Sequence, residues 1–432
     1  MAIFPRKQSG TDNNARRSEG GRFRWRLYLV AIMAVTTLSM LLIACGGGDK
    51  EDEVYTIGVL SSFTGPCGPY GQPNANGAKL AAQEINAEGG LLGRIPIKII
   101  EEDTESNPDV AIQKVRRLFD QQGADAVFGV ECSFLRDAIM PDVEQRNKLM
   151  LYAINYEGER YSDNAFFFGM VPAQEHHPAL YDFLLERSSG NRWAMIGSDY
   201  IAFHMIDLYL RSVSLPEKGI ELVIDEFAPL DQTDFSSLIS RIQKEDPDHI
   251  LNNMIGPSCI AFQQQLANAG ITPLRAGEEP GTPGRVTVSG HCFITLTADA
   301  IGEAAEGVYR SINWNETLDT PAARKFTADY KAAFPNDFML YASWDGYVAI
   351  KALAAAAEKA GSVDIEDLKT AMVGVEFESP TGPVRIREDH HTDMPLHLMQ
   401  VQNGEFVVIE SYGQIPVGYD QREPRYSKEF QK

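Results

Sequence analysis

Cysteine is scarce in this chain: five in 432 residues, at positions 45, 67, 132, 259 and 292. None is spaced Cys-x-x-Cys, so the short cysteine pairs of zinc modules are missing. Phosphate-binding P-loops, Gly-x-Ser-x-Gly elbows and metalloprotease His-Glu-x-x-His pairs are missing as well. Cys132 and His291 are the one nucleophile–base pair that suggests itself, but they fall in different halves of the chain, whereas catalysis needs them in hydrogen-bond reach. No enzyme, metal or cofactor is therefore expected. Positive charge is also short, with 39 Lys and Arg against 60 Asp and Glu, a net of −21. A surface that acidic repels nucleic-acid phosphates and serves solubility instead. Beyond residue 45 no segment reaches the roughly 18–20 apolar residues of a membrane span. No short-period repeat is present, which excludes a solenoid.

The first 45 residues depart from this pattern. Seven basic residues between Arg6 and Arg26 face only Asp12 and Glu19, and without them the remainder carries about −26. An apolar run from Leu27 follows, ending Leu42-Ile43-Ala44-Cys45. Basic start, apolar core and small residues before a break make a secretion signal over 1–45. Its end resembles a bacterial lipobox, in which Cys45 is lipidated, and residues 46–53 then read as a flexible tether. An uncleaved N-terminal anchor with the same topology is the alternative. Both place the folded region outside the cytoplasm, tied to the membrane only at its start.

From Val54 onward, short apolar runs alternate with helical stretches, which predicts βαβ units and parallel sheets flanked by helices. Strands are predicted at 54–60, 95–100, 124–130 and 149–154, and after a restart near Arg192 at 193–197, 220–224, 249–251 and 285–288. Helices are expected from about Asn74 to Ala87, after the Asn107-Pro108 cap, and at 321–334 and 342–360. Ser133 stands where it would cap the helix after the third strand. Val384–Ile386 and Phe406–Ile409, with Asn403-Gly404 as the turn signal, read as antiparallel hairpin strands. His176-His177 and His390-His391 read as surface or loop pairs.

Open parallel sheets bind ligands at the C-terminal edges of their strands. The residues there are Ser61–Thr64, Glu131-Cys132-Ser133 and Asn155–Gly158 in the first half, and Ser198-Asp199-Tyr200, Gly256-Pro257-Ser258 and Ser289-Gly290-His291 in the second. Hydroxyls and aromatics with few cations suit a small polar ligand. Free amides at the helix start near Ser133 bind a carbonyl or carboxylate, and Tyr200 or Tyr152 would exclude water. Ordinary capping and strand-end packing is the alternative for each residue taken singly.

Several segments together carry a resemblance. They are Gly68-Pro69-Tyr70-Gly71 before Asn76-Gly77-Ala78, Glu84–Arg94, Tyr156-Glu157-Gly158, Ile196–Tyr200, Thr233–Ser237, and Ser379–Val384 with His390-His391. Over residues 54–412 the chain resembles type I periplasmic solute-binding proteins, related to the branched-chain amino acid binders, and within them the urea and short-chain amide branch. The resemblance implies a two-lobed α/β Venus-flytrap fold with three hinge crossings. It implies ligand contact by Ser133, by the loop Tyr152, Ala153, Ile154 and Asn155, and by Tyr200 from the second lobe; Tyr70 joins this set. The chain departs from the amide pattern at Glu131, which replaces an aromatic, at Ala153 and Ile154, which replace proline and threonine, and at Ser289–Phe293, which lacks an acidic run. Glu131 then reads either as an acceptor for ligand N–H groups or as a solvated loop carboxylate.

The implied layout is lobe one at 54–170, lobe two at 171–306, a return to lobe one at 307–376, a lobe-two hairpin at 377–412 and a tail at 413–432. Outside the cytoplasm four cysteines invite disulfides, and Cys67–Cys132 and Cys259–Cys292, one per lobe, leave closure free. The implied function is capture of urea or a short amide for the permease of an ABC importer. Branched-chain or other small amino acids are the alternative ligands, and a sensor for a signalling partner is the alternative role.

Overall fold

The computed structural model describes residues 53–429; the signal segment with Cys45, and the tether except Glu53, lie outside the described residues. The first lobe follows the β–α alternation. Strand β1 (Tyr55–Ser61), helix α1 (Gly68–Ala87), β2 (Ile97–Asp103), α2 (Pro108–Asp120), β3 (Ala126–Gly129), α3 (Ser133–Gln145), β4 (Leu149–Tyr152) and β5 (Ala165–Phe167) build it. The sheet is parallel throughout, in the order β2-β1-β3-β4-β5. Strands β1, β3, β4 and β5 are buried on both faces, as a sheet covered by helices requires, while the edge strand β2 exposes Lys98 and Glu101. Asn107 caps α2 by accepting the Asp109 and Val110 N–H groups.

The second lobe opens with α4 (Pro172–Glu175) and α5 (Pro178–Glu186), then β6 (Arg192–Ser198), α6 (Ile201–Tyr209), α7 (Leu215–Lys218), β7 (Glu221–Ala228), α8 (Ser236–Glu245) and β8 (His249–Asn253). It continues with α9 (Gly256–Asn268), β9 (Thr272–Pro273), β10 (Arg285–Ser289), α10 (Thr295–Ile301) and β11 (Tyr309–Ile312). The chain then returns to lobe one as α11 (Pro321–Ala333), α12 (Tyr341–Ala360) and α13 (Ile365–Met372). It ends in lobe two as β12 (Glu376–Ser379), β13 (Gly382–Ile386), β14 (Thr392–Gln402) and β15 (Glu405–Ile415). The second sheet runs β12-β13-β14-β11-β10-β8-β6-β7, with β15 on β14 and β9 on β10.

Four expectations need correction. Residues 307–376 do not all return to lobe one: β11 pairs with β10 and β14 in the second sheet, so the crossing follows Ile312. Helix α1 starts at Gly68, not near Asn74, and carries Pro73 inside it. Val384–Ile386 does not pair across the Asn403-Gly404 turn; that turn, with φ of +55° and +81°, joins β15 to the unforeseen β14. Strand β14 is buried on both faces, so it lacks the alternation that marks a half-exposed strand. His176, His390 and His391 are buried, not surface residues. His390 stacks on Phe166 with ring centres 4.0 Å apart, and His391 on Phe167 at 4.6 Å.

Helix α12 is held against α1 by a glycine contact on each helix. A Cβ on Gly77 would lie 1.9 Å from the Ser343 carbonyl oxygen, and one on Gly346 would lie 2.2 Å from that of Asn74. Neither backbone can withdraw without opening the core, so Gly346→Ala is expected to cost about 1–3 kcal/mol in guanidinium unfolding.

Burial also shapes the histidines. His249 stacks on Trp193 with centres 3.8 Å apart, and its Nε2 lies 2.8 Å from Ser289 Oγ. Burial pushes its pKa down to about 3, from 6.5. Below pH 6.5 the unfolded chain therefore takes a proton that the folded chain refuses, and stability falls with pH. A His249→Gln variant lacks this penalty. Its unfolding free energy, measured against the wild type, should gain about 2 kcal/mol between pH 7.5 and pH 5.

Candidate functional site

At the end of β3 the chain makes a strained turn. Gly129 has φ +108°, where a Cβ would meet the Leu60 carbonyl oxygen at 2.6 Å, and Val130 has φ +56°, rare for a β-branched residue. The turn swings Glu131 back over β1. There it accepts from Ser61 Oγ at 2.5 Å and from the Ser62 N–H at 2.8 Å. Burial pushes the Glu131 carboxyl above its usual range, while these two bonds pull against it. Glu131 is thus a buried group, not a solvated loop carboxylate.

Helix α3 starts immediately after. Its N-cap is Cys132, which makes no side-chain cap; Ser133 is the first helical residue and does not cap it. Ser133 Oγ instead donates to Glu157 Oε2 at 2.5 Å, and the other Glu157 oxygen accepts from Arg136 Nη2 at 2.6 Å. Arg136 lies between Tyr152 and Tyr156, its guanidinium 5.0 Å from each ring centre. Cys132 is bonded to Cys67, at the start of α1, across Cα atoms 6.3 Å apart. In the second lobe Cys259 is bonded to Cys292, with Cα atoms 5.7 Å apart.

The second lobe answers across the cleft. Tyr200, at the N-cap of α6, accepts the Ser133 N–H with its hydroxyl oxygen at 3.1 Å, so the lobes touch through a hydrogen bond. Glu175, ending α4, meets Arg310 Nη1 and lies 2.7 Å from His291 Nδ1. Burial would raise the Glu175 carboxyl, but Arg310 and His291 hold it far below the carboxylate range.

Between these walls lies a cavity of about 80 Å³. Of the residues expected from sequence, Tyr70, Glu131, Ser133, Ile154, Asn155 and Tyr200 line it. Tyr152 and Ala153 do not. Tyr152 is the last residue of β4, and its ring packs behind the cavity wall on Tyr156, Phe167 and the Arg136 guanidinium. The Ala153 carbonyl accepts from Asn74 Nδ2, tying it to α1. Sequence reasoning did not select Tyr156, Glu175, Phe203, His291 or Tyr341 as ligand residues, and these also line it, together with Cys132, Ala202, Ile206 and Ile255. Tyr156 and His291 stood in segments singled out above. Glu175 and Tyr341 begin or end helices of other elements, where a strand-edge rule gives no signal. Asn155 Oδ1 accepts the Met170 N–H at 2.8 Å, while its Nδ2 is buried with no partner among the described residues.

Among the described residues, no group of His, Cys, Asp or Glu is arranged to hold a metal ion, and no helix is long and apolar enough to cross a membrane. The Glu175–Arg310 pair is buried on both sides. Glu175→Gln leaves the guanidinium without its countercharge, and guanidinium unfolding should register a loss of about 3–5 kcal/mol.

Comparison with known proteins agrees with this architecture. The chain is 24% identical over 360 residues to Leu/Ile/Val-binding protein homolog 7 of Brucella melitensis, covering 79% of this chain and 86% of the relative. An ABC transporter substrate-binding protein from Sphaerobacter thermophilus superposes with a TM-score of 0.72 at 23% identity, over 85% of this chain and 99% of that one. The branched-chain amino acid transporter substrate-binding protein of Streptococcus pneumoniae, in complex with isoleucine, gives 0.69 at 20% identity, over 84% and 99%. The family model for periplasmic binding proteins matches residues 54–405, and the chain belongs to that family.

Proposed function

We propose that the protein is the solute receptor of an ABC importer, exported by segment 1–45, anchored through Cys45, and closing its lobes on urea or a short-chain amide. The observation that carries the ligand class is the size and polarity of the cavity. Its volume of about 80 Å³ is well below the about 150 Å³ that accommodates benzene. Glu131 and Ser133 supply oxygen acceptors, and Asn155, whose buried Nδ2 has no partner among the described residues, supplies a donor in the same lining. An amide offers the complement: N–H groups for the acceptors and a carbonyl for the donor. Tyr200, bonded to Ser133 across the cleft, serves as the closing lid, and closure alters the surface offered to a permease.

A small amino acid is the second reading. The Leu/Ile/Val-binding relative favours it, and Glu175 supplies an ionised carboxylate for an ammonium. A branched side chain then requires Phe203 or Tyr341 to withdraw. The N-terminal signal ending in Ala44-Cys45 favours a free-standing transport receptor over a sensor for a signalling partner.

Calorimetric titration decides the ligand. The protein is unfolded in guanidinium and refolded to remove carried-over solute, then titrated with urea, formamide, acetamide and a panel of amino acids. Urea or an amide is expected to bind, and Ser133→Ala and Tyr200→Ala are each expected to weaken binding by about tenfold or more. A thousandfold excess over Kd should raise stability by about 4 kcal/mol. A response confined to amino acids would reject the amide reading and keep the receptor.

A further inference from the structure

We propose that Glu157, which does not touch the cavity, sets the hydrogen-bonding polarity of Ser133 and so makes the site select N–H donors against carboxylates of the same shape. This rests on the receptor reading above and names the feature of the ligand that Ser133 reads.

A serine hydroxyl has one proton and two lone pairs. Here the proton is committed, because Ser133 Oγ donates to Glu157 Oε2 at 2.5 Å. Glu157 is fixed as an acceptor by its ion pair with Arg136, whose side chain is 1% exposed against 3% for Glu157. Arg136 is itself fixed by Asp137 and by the two flanking tyrosine rings. Ser133 Oγ therefore presents only lone pairs to a ligand. The Ser133 N–H is taken by the Tyr200 hydroxyl. A carboxylate placed here would set its oxygens against the Ser133 lone pairs and against Glu131, whereas an amide NH2 or an ammonium satisfies both. Glu157 is thus a positioning residue that acts through Ser133.

Acetamide and acetate differ in little but this polarity, and the full chain can be titrated with both. The wild type should bind acetamide more tightly. In Glu157→Gln the new carboxamide oxygen faces Arg136 and its NH2 donates to Ser133 Oγ, which turns the hydroxyl proton toward the ligand. The acetamide-to-acetate affinity ratio should then fall by about tenfold or more. The same change made in a Ser133→Ala background should leave the ratio unmoved, which separates the hydroxyl from the general loss of negative charge. A shift that persists without the hydroxyl, or no shift at all, overturns the role of Glu157 and leaves the amide reading standing. Ser133→Ala alone gives a second test should Glu157→Gln fail to fold: it should weaken acetamide and spare acetate, and equal loss of both overturns the inference. A wild type that prefers acetate overturns the inference and the amide reading together. If the wild type ignores both and binds leucine, the amide reading fails by itself. The ratio is then read on leucine and leucinamide, where Glu157→Gln must favour leucine or the inference falls. Silence toward all four ligands overturns both.

Discussion

The buried ion pair between Arg136 and Glu157 holds this binding cleft together. Arg136 comes from α3, Glu157 from the loop after β4, and the two tyrosines that sandwich the guanidinium come from that same strand and loop. The pair therefore fixes the helix start that carries Ser133 to the loop that carries Asn155. It also reaches the hinge, since Tyr156 hydrogen-bonds His391 and stacks near it on Phe167. His391 belongs to the segment leading into β14, in the other lobe. One charged contact thus links the cavity wall to the segment of the other lobe that carries His391.

The second lobe solves the same problem with a second buried pair, Glu175 and Arg310. Ion pairs of this kind are expensive to desolvate and contribute less to stability than well-packed apolar groups would. What they supply here is direction. Each places a carboxylate in one orientation behind or beside the cavity, and the rings of Tyr152 and Tyr156 flank the Arg136 guanidinium. Glu131 differs, because it has no cation within its hydrogen-bonding set, only the Ser61 hydroxyl and the Ser62 amide. Its burial is offset by those two donors and by the strained turn at Gly129 and Val130 that delivers it. The cleft consequently has a carboxylate on each lobe, Glu131 and Glu175, and Tyr200 is hydrogen-bonded across it to Ser133.

Most of the first lobe was legible in the sequence because its signals are local. Asn107-Pro108 caps a helix wherever it lies, and an apolar run followed by a helical period becomes a β–α unit. Six of the eight expected ligand residues line the cavity; five of them follow strand ends in a parallel sheet, a similarly local signal, whereas Tyr70 lies in the first turn of α1. Tyr152 failed because it ends a strand instead of following it, and its ring is spent behind the wall on Arg136, Tyr156 and Phe167. Strand β14 was missed because a strand buried on both sides has no alternation to read, and His397, Gln400 and Gln402 obscure the apolar count.

The sequence by itself determined the layered α/β architecture, the two-lobed plan and the hydroxyl- and aromatic-rich, cation-poor character of the strand ends, since these depend on periodicity, turn chemistry and composition within short windows. Only the tertiary structure decided what each polar atom does. Ser133 could be read as a cap until Glu157, 24 residues away, took its proton. Glu175 and Arg310 are 135 residues apart and meet only when α4 and β11 fold onto each other. Hydrogen-bond polarity in a cleft is set by partners brought from distant elements, and no local pattern encodes which partner arrives.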